Sequence, residues 1–277
     1  MSEIKKEGEK KEFLRQRDEE SSEYNDYFFK NSEDLSMWRE DVHSYTLGNI
    51  PRDWVYMYQD KLAFRILNEI VGGENKSVKH KILDVGSMFY AALFFGELGH
   101  VTYLEPRLGD GVGSSGEEPG GSRQVSFRWL SLSFIHGEGQ RIPSPDSSYN
   151  SVTCLHALEH FGLGRYGDTI DYYGDQKALR EFNRVLDENG TLLLSVPTSD
   201  HSPRIEFNGQ RVYNPDMIDD MLDSAGFEVA TRYYISSLGL MRDENGSLVE
   251  PLSQDRNILR NVAEDQQAAY FTLSVKR

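Results

Sequence analysis

The chain has 277 residues, 38% of them hydrophobic, which is enough material for one sizeable core with appendages. Thirty Lys and Arg against 45 Asp and Glu leave a net charge of −15, so most of the surface repels a phosphate backbone and a nucleic-acid partner held by charge is excluded. The single cysteine, Cys154, excludes an intramolecular disulfide, and the chain shows neither a membrane-length apolar run nor a signal-peptide pattern; a soluble, cytoplasmic protein is expected, with no membrane insertion.

Residues 1–26 mix acidic and basic side chains and read as a charged tail, either a solvated helix or disordered. Residues 27–79 are expected to form an N-terminal helical cover. It opens with an aromatic-rich stretch that includes Phe28, Phe29, Trp38 and Tyr45, and continues as a helix over 53–71. Val55, Tyr58, Leu62, Ile66, Leu67 and Ile70 form the apolar face of that helix, and Gly72-Gly73 stops it. From residue 80 to the end, strands and helices alternate. Strands are predicted at 81–85, 101–105, 131–136, 151–155 and 191–196, with helices at 88–98 and 174–186. Residues 108–123 form a glycine-rich loop, and Asn189-Gly190 marks a turn. Asn214-Pro215-Asp216 starts a further helix with a cap, a proline at the first helical position and an acid against the macrodipole. Gly226 ends that helix, and two last strands, 227–234 and 269–275, are joined by a polar excursion. This alternation implies an α/β fold: a mostly parallel sheet covered on both faces, with its site at the carboxyl ends of the strands.

Asp84-Val85-Gly86-Ser87 follows a strand and precedes a helix, the geometry that lets backbone approach a ligand because Gly86 has no Cβ. About twenty residues on, Glu105 ends the second strand, where a carboxylate accepts hydrogen bonds from both hydroxyls of a ribose. The dinucleotide pattern Gly-x-Gly-x-x-Gly is absent, which disfavours a pyrophosphate and leaves a nucleoside such as S-adenosylmethionine.

Ile82-Leu83-Asp84-Val85-Gly86-Ser87 and Val101-Thr102-Tyr103-Leu104-Glu105-Pro106-Arg107 resemble the first two motifs of class I S-adenosylmethionine-dependent methyltransferases. Gly137-Glu138-Gly139-Gln140-Arg141-Ile142-Pro143 resembles their third-strand motif, and Arg184-Val185-Leu186-Asp187-Glu188-Asn189-Gly190 before Leu192-Leu193-Leu194 resembles the approach to the fifth strand. The runs 155–168 and 207–213 are similar to a methyltransferase-like family with a domain of unknown function, associated with glycan and polysaccharide pathways. The resemblance implies a Rossmann-like methyltransferase fold, a seven-stranded mostly parallel sheet with the last strand antiparallel, and S-adenosylmethionine as cofactor. It further implies that Asp84, Gly86 and Ser87 line the methionine and ribose side, and that Glu105 holds the ribose. Glu138 and Gly139 would meet the adenine, and Leu155 and His156 would lie near the sulfonium methyl.

His156-Ala157-Leu158-Glu159-His160 has the spacing of a zinc peptidase motif, but it begins at a strand end and runs at once into Gly162-Leu163-Gly164, so it lacks the long helix that zinc chemistry needs. A packed histidine at a turn is the bland alternative. The functional reading makes His156 the base for a hydroxyl acceptor, with His160 second. Arg165, Tyr166 and Asp168 suit recognition of a sugar or an anion, against the simpler reading of an Arg165–Asp168 salt-bridged turn. Asn208 and Arg211, after the fifth strand, complete the acceptor side. Asp168, Asp171 and Asp175 could assist a magnesium ion, but acids near a helix start are more often caps. The expected function is methyl transfer to a small-molecule or glycan hydroxyl. The alternative is a relative that binds a nucleoside or glycan without turnover. Oligomeric state is not legible.

Overall fold

A computed structural model of the chain describes residues 3–19, 36–37, 50–72, 79–106, 125–127, 131–200, 203–236, 241–242, 248–249, 252–261 and 268–277. The glycine-rich loop and, apart from Ser36 and Met37, the aromatic stretch ahead of the cover helix lie outside the described residues.

The helices are α1 (Glu3–Glu19), α2 (Ile50–Gly72), α3 (Phe89–Phe95), α4 (Gly174–Val185) and α5 (Pro215–Ser224). The first strands are β1 (Ser36–Met37), β2 (Lys81–Val85), β3 (His100–Glu105), β4 (Val125–Phe127), β5 (Leu132–His136) and β6 (Tyr149–Leu155). They are followed by β7 (Leu186–Thr198), β8 (Arg204–Phe207), β9 (Gln210–Val212), β10 (Phe227–Ile235), β11 (Met241–Arg242), β12 (Leu248–Val249), β13 (Leu252–Ser253) and β14 (Ala268–Lys276).

The main sheet runs β13-β10-β14-β7-β6-β2-β3-β5-β4. Its five central strands are parallel, and β14 is antiparallel to both neighbours. The seven expected strands are therefore present with the last one reversed, and the short strands β4 and β13 extend the two edges. Chain order reverses direction between β2 and β6, which makes the gap above their carboxyl ends the topological switch point where open α/β sheets bind ligands.

Both faces of the sheet are buried, which is why its strands read as nearly continuous apolar runs. Along β2, Ile82 packs with Leu62, Leu67 and Phe95 of α2 and α3, while Leu83 packs on the other face with Leu179, Phe182 and Met217 of α4 and α5. In α4 the buried Ala178, Leu179, Phe182 and Val185 recur at helical spacing. Asn214 caps α5 as expected, its side chain accepting the Asp216 N–H at 2.9 Å. Asn189-Gly190 turns inside β7: Leu186 pairs with Tyr149 and Thr191 with Ser151, so residues 187–190 loop out opposite Asn150.

The charged N-terminal segment is neither disordered nor wholly solvated over 3–19. Phe13 is fully buried, its ring 4.9 Å from Tyr172 and 5.2 Å from Phe207. One large apolar side chain docks a helix whose other described residues are mostly polar. At the opposite end of the cover, Val55 of α2 packs on Ile235 and Ala269, which brings the first turns of α2 to the carboxyl edge of the sheet. Among the described residues no helix is long and apolar enough to cross a membrane.

Candidate functional site

A cleft opens at the carboxyl edge, lined by Val85, Gly86, Leu104, Pro106, Gly137, Glu138, Gly139, Gln140, Phe161, Tyr166 and Asp168, with about 350 Å³ of empty space that is open to solvent. Gly86 turns with φ +72°, a conformation costly for a side chain, and a Cβ there would sit 3.1 Å from Ala157 Cβ. Gly139 packs beneath the Phe161 ring so closely that a Cβ would approach it to 2.5 Å. Both glycines line the cleft, where the absence of a side chain keeps backbone open to it.

Three residues expected on that wall lie beneath it instead. The Asp84 carboxyl is fully buried and accepts Ser87 N–H at 3.2 Å and Thr153 Oγ1–H at 2.7 Å. Burial pushes its pKa up to about 7. Ser87 Oγ accepts the Leu155 N–H at 3.1 Å, and Tyr103 donates to Ser87 O at 2.6 Å. Asp84, Ser87 and Leu155 thus lash the Gly86 turn to β6 and shape the cleft without facing it. The Asp84 and Ser87 side chains turn inward because each bonds a group of β6, and Leu155 takes part through its backbone N–H. Glu105 ends β3 between the lining residues Leu104 and Pro106, partly exposed. Glu138 lines the cleft and accepts the Thr169 N–H at 3.3 Å.

The loop after β6 is wound around one carboxylate. Asp168 accepts the backbone N–H groups of Gly162 at 2.9 Å, Gly164 at 3.3 Å and Tyr166 at 3.1 Å. It therefore does not form a salt-bridged turn with Arg165, which donates to the Gly209 carbonyl at 3.3 Å and lies over the Tyr166 ring at 5.5 Å. Tyr166 is on the lip of the cleft and edge-on to His160, with centroids 5.4 Å apart.

Arg211 and Asn208 are both buried. Arg211 is fully buried, donating to Phe161 O at 2.6 Å and Tyr172 O at 2.9 Å beside Asp175 at 3.4 Å, so it holds the loop and does not meet an acceptor. Asn208 is 8% exposed at the turn between β8 and β9, where the adjacent Gly209 carbonyl latches His160 and Arg165.

The histidines are also corrected as bases. His156 sits at φ +51°, its Nδ1 2.6 Å from Gln59 Oε1 and 2.9 Å from Ser195 Oγ. Gln59 Oε1 can only accept, so Nδ1 carries the proton. His160 Nδ1 likewise donates to Gly209 O at 2.6 Å. Burial pushes both imidazoles down to about 3, so both are neutral and weakly basic at pH 7. Leu158–His160 is a single 3-10 turn, and the two Nδ1 atoms serve unrelated oxygens, which removes the one-face geometry of the zinc motif. Asp171 is paired with Lys177, and Asp175 with Arg211 and Tyr213. Among the described residues no group of three His, Cys, Asp or Glu is placed to hold a metal.

A buried histidine whose pKa is lowered binds fewer protons folded than unfolded, so its stabilisation is complete above about 6.5 and fades as pH falls toward 3. Buried carboxyls oppose this, so the comparison must be differential. His160→Gln keeps a donor for Gly209 without titrating; the stability of the native chain relative to this variant is expected to drop by about 2 kcal/mol from pH 7.5 to 5. Urea unfolding at the two pH values reads it, and a pH-independent difference would contradict the burial of His160.

Sequence reasoning missed three groups. Glu159 is 1% exposed, and burial pushes its carboxyl up to about 8. Gln59 and Asp60 of α2 are 0% and 7% exposed. A signal existed: Gln59 is in helical phase with Val55, Leu62 and Ile66, and Asp60 with Ala63 and Leu67, so both are polar residues on a core stripe.

A family model described as "Caenorhabditis protein of unknown function, DUF268" matches residues 142–242. A protein of Bacillus subtilis (strain 168), described as the uncharacterized methyltransferase YcgJ, is 27% identical over 142 residues, half of each chain. The chain thus spans about half the length of that curated relative. A solved structure from Galdieria sulphuraria, described as a candidate sarcosine dimethylglycine methyltransferase, is 11% identical with TM-score 0.50, covering 79% of this chain and 85% of the other. The Burkholderia thailandensis 1,6-didemethyltoxoflavin-N1-methyltransferase, solved with 1,6-didemethyltoxoflavin and S-adenosylhomocysteine, is 15% identical with TM-score 0.49, covering 79% and 78%. The fold is that of the class I methyltransferases, as the order of the sheet had indicated.

Proposed function

We propose that the chain binds S-adenosylmethionine across the carboxyl edge and transfers its methyl group to a hydroxyl of a small polar acceptor, a sugar or glycan intermediate. One arrangement carries the reading: the Gly86 turn, Leu104 and Pro106 on either side of Glu105 at the end of β3, and the Glu138-Gly139 segment border a single cleft. Glu105 would hold the ribose hydroxyls, and Glu138 with Gly139 would meet the adenine amine and ring edge. The methyltransferase description of the Bacillus relative supports the same reading.

Bound there, S-adenosylmethionine supplies an electrophilic methyl on a sulfonium. The chain's own contribution is to hold an acceptor oxygen against that methyl and exclude water. Tyr166, 37% exposed on the lip of the cleft, offers a face for a sugar ring, with Arg165 beside it. The glycan acceptor rests on the sequence resemblance and on this polar, aromatic rim. Isothermal titration calorimetry with S-adenosylmethionine and S-adenosylhomocysteine is expected to show one site of micromolar affinity for each. Silence with both would overturn the proposal.

A further inference from the structure

The neutral histidines leave the acceptor hydroxyl of that reading without a strong base, and the cover helix carries two buried polar side chains. Gln59 and Asp60 are consecutive on α2, at the end that reaches the carboxyl edge of the sheet. Gln59 Oε1 accepts from His156 Nδ1 at 2.6 Å and from Ser195 Oγ at 2.6 Å, which fixes the amide over the end of β6. Its Nε2 has no hydrogen-bond partner, and neither has either oxygen of Asp60. Asp60 is close enough to Asp84, under the Gly86 turn of β2, for the two charges to interact, and the Tyr90 hydroxyl of α3 and the adjacent Gln59 amide lie near enough to its carboxyl to oppose the effect of burial on it. These contacts bracket the switch point between β2 and β6. A buried donor and two buried acceptors left unsatisfied side by side are costly unless a ligand completes them.

We propose that Asp60 faces the methyl-transfer point and takes the proton of the acceptor hydroxyl, with Gln59 Nε2 donating to an oxygen of the same acceptor. The inference rests on the methyltransferase reading and extends it to the residue that performs the acid–base work. As the acceptor oxygen bonds to the methyl carbon, the S–C bond breaks with its electron pair on sulfur, and the hydroxyl proton passes to the Asp60 carboxylate. The products are the methyl ether, S-adenosylhomocysteine and neutral Asp60, which returns its proton to water. Burial pushes the Asp60 carboxyl up to about 7, which suits a base working near neutral pH. His156, whose Nδ1 proton is spent on Gln59, then acts as a positioning residue for the amide.

The test needs no acceptor. Sinefungin carries an amine where S-adenosylmethionine carries its methyl, so a carboxylate facing that point prefers it to S-adenosylhomocysteine, which has nothing there. Calorimetry is expected to show sinefungin binding at least about tenfold tighter than S-adenosylhomocysteine to the native chain. In Asp60→Asn and Asp60→Ser the preference should shrink to about twofold, with S-adenosylhomocysteine affinity changed by less than about threefold. No preference in the native chain, or a preference kept in both variants, overturns the role of Asp60. Loss of S-adenosylhomocysteine binding in both variants also overturns it, since Asp60 would then support the fold or the cofactor itself. A native chain that binds none of the three ligands overturns the methyltransferase reading instead.

Discussion

Replacing Arg211 with methionine is expected to destabilise the chain by about 3–5 kcal/mol, because it leaves a carboxylate stranded in the interior. The guanidinium is fully buried and serves three groups: the carbonyls of Phe161 and Tyr172, and Asp175 at 3.4 Å. Tyr213 also donates to Asp175, at 2.9 Å, and would remain as partial compensation. Arg211→Lys keeps the charge but loses the planar fork that reaches two carbonyls at once, and should cost less than methionine but more than nothing. In the double variant Arg211→Met with Asp175→Leu the stranded charge is gone, so it should be more stable than Arg211→Met alone. Chemical denaturation of the set measures this; a loss under about 1 kcal/mol for Arg211→Met would show that the pair is not load-sharing in the fold. Because Arg211 holds the Phe161 carbonyl, and the Phe161 ring walls the cleft, the same variant should also weaken cofactor binding.

Glu105→Ala is expected to cost roughly 100-fold in S-adenosylhomocysteine affinity while changing stability little. The carboxylate at the end of β3 is proposed to accept from both ribose hydroxyls, and a hydrogen bond to a charged group contributes about 1.5–3 kcal/mol. Glu105→Gln keeps one acceptor and should fall between. Equal affinity in the native chain and Glu105→Ala would mean that the ribose is held elsewhere, and with it the assignment of the β3 edge would fail.

Much of the cleft at the carboxyl edge was legible because it is written in local pattern. Gly86 was identified from a strand–turn–helix sequence, and the structure gives it the positive φ that only such a turn demands. Gly139 was placed through the resemblance alone; its closeness to Phe161 depends on a residue more than twenty positions away. The acceptor side was harder. Arg211 looked available because a lone arginine after a strand in an acidic chain suggests an anion site. Its partners, Phe161, Tyr172 and Asp175, come from another part of the chain, so its burial leaves no mark in its own neighbourhood. The two arginines expected on the acceptor side are accordingly divided: Arg211 is structural, and Arg165 stays half-buried beside Tyr166.

By itself the sequence determined the alternation of strands and helices, the Gly86 turn and the capped start of α5. These follow from periodicity, turn chemistry and short motifs, all of which act within a few residues of one another. Only the tertiary structure decided which polar groups are spent and which are left over. Asp84, Asp168 and Arg211 are consumed by partners brought to them across the fold, whereas Asp60 and Gln59 emerge with unsatisfied atoms at the switch point. Titration follows the same division: a histidine near neutrality in water becomes a weak base at about 3 once α2 and the β8–β9 turn close over it. Burial is a property of the assembled layers, and the strength of a buried acid or base cannot be set until those layers meet.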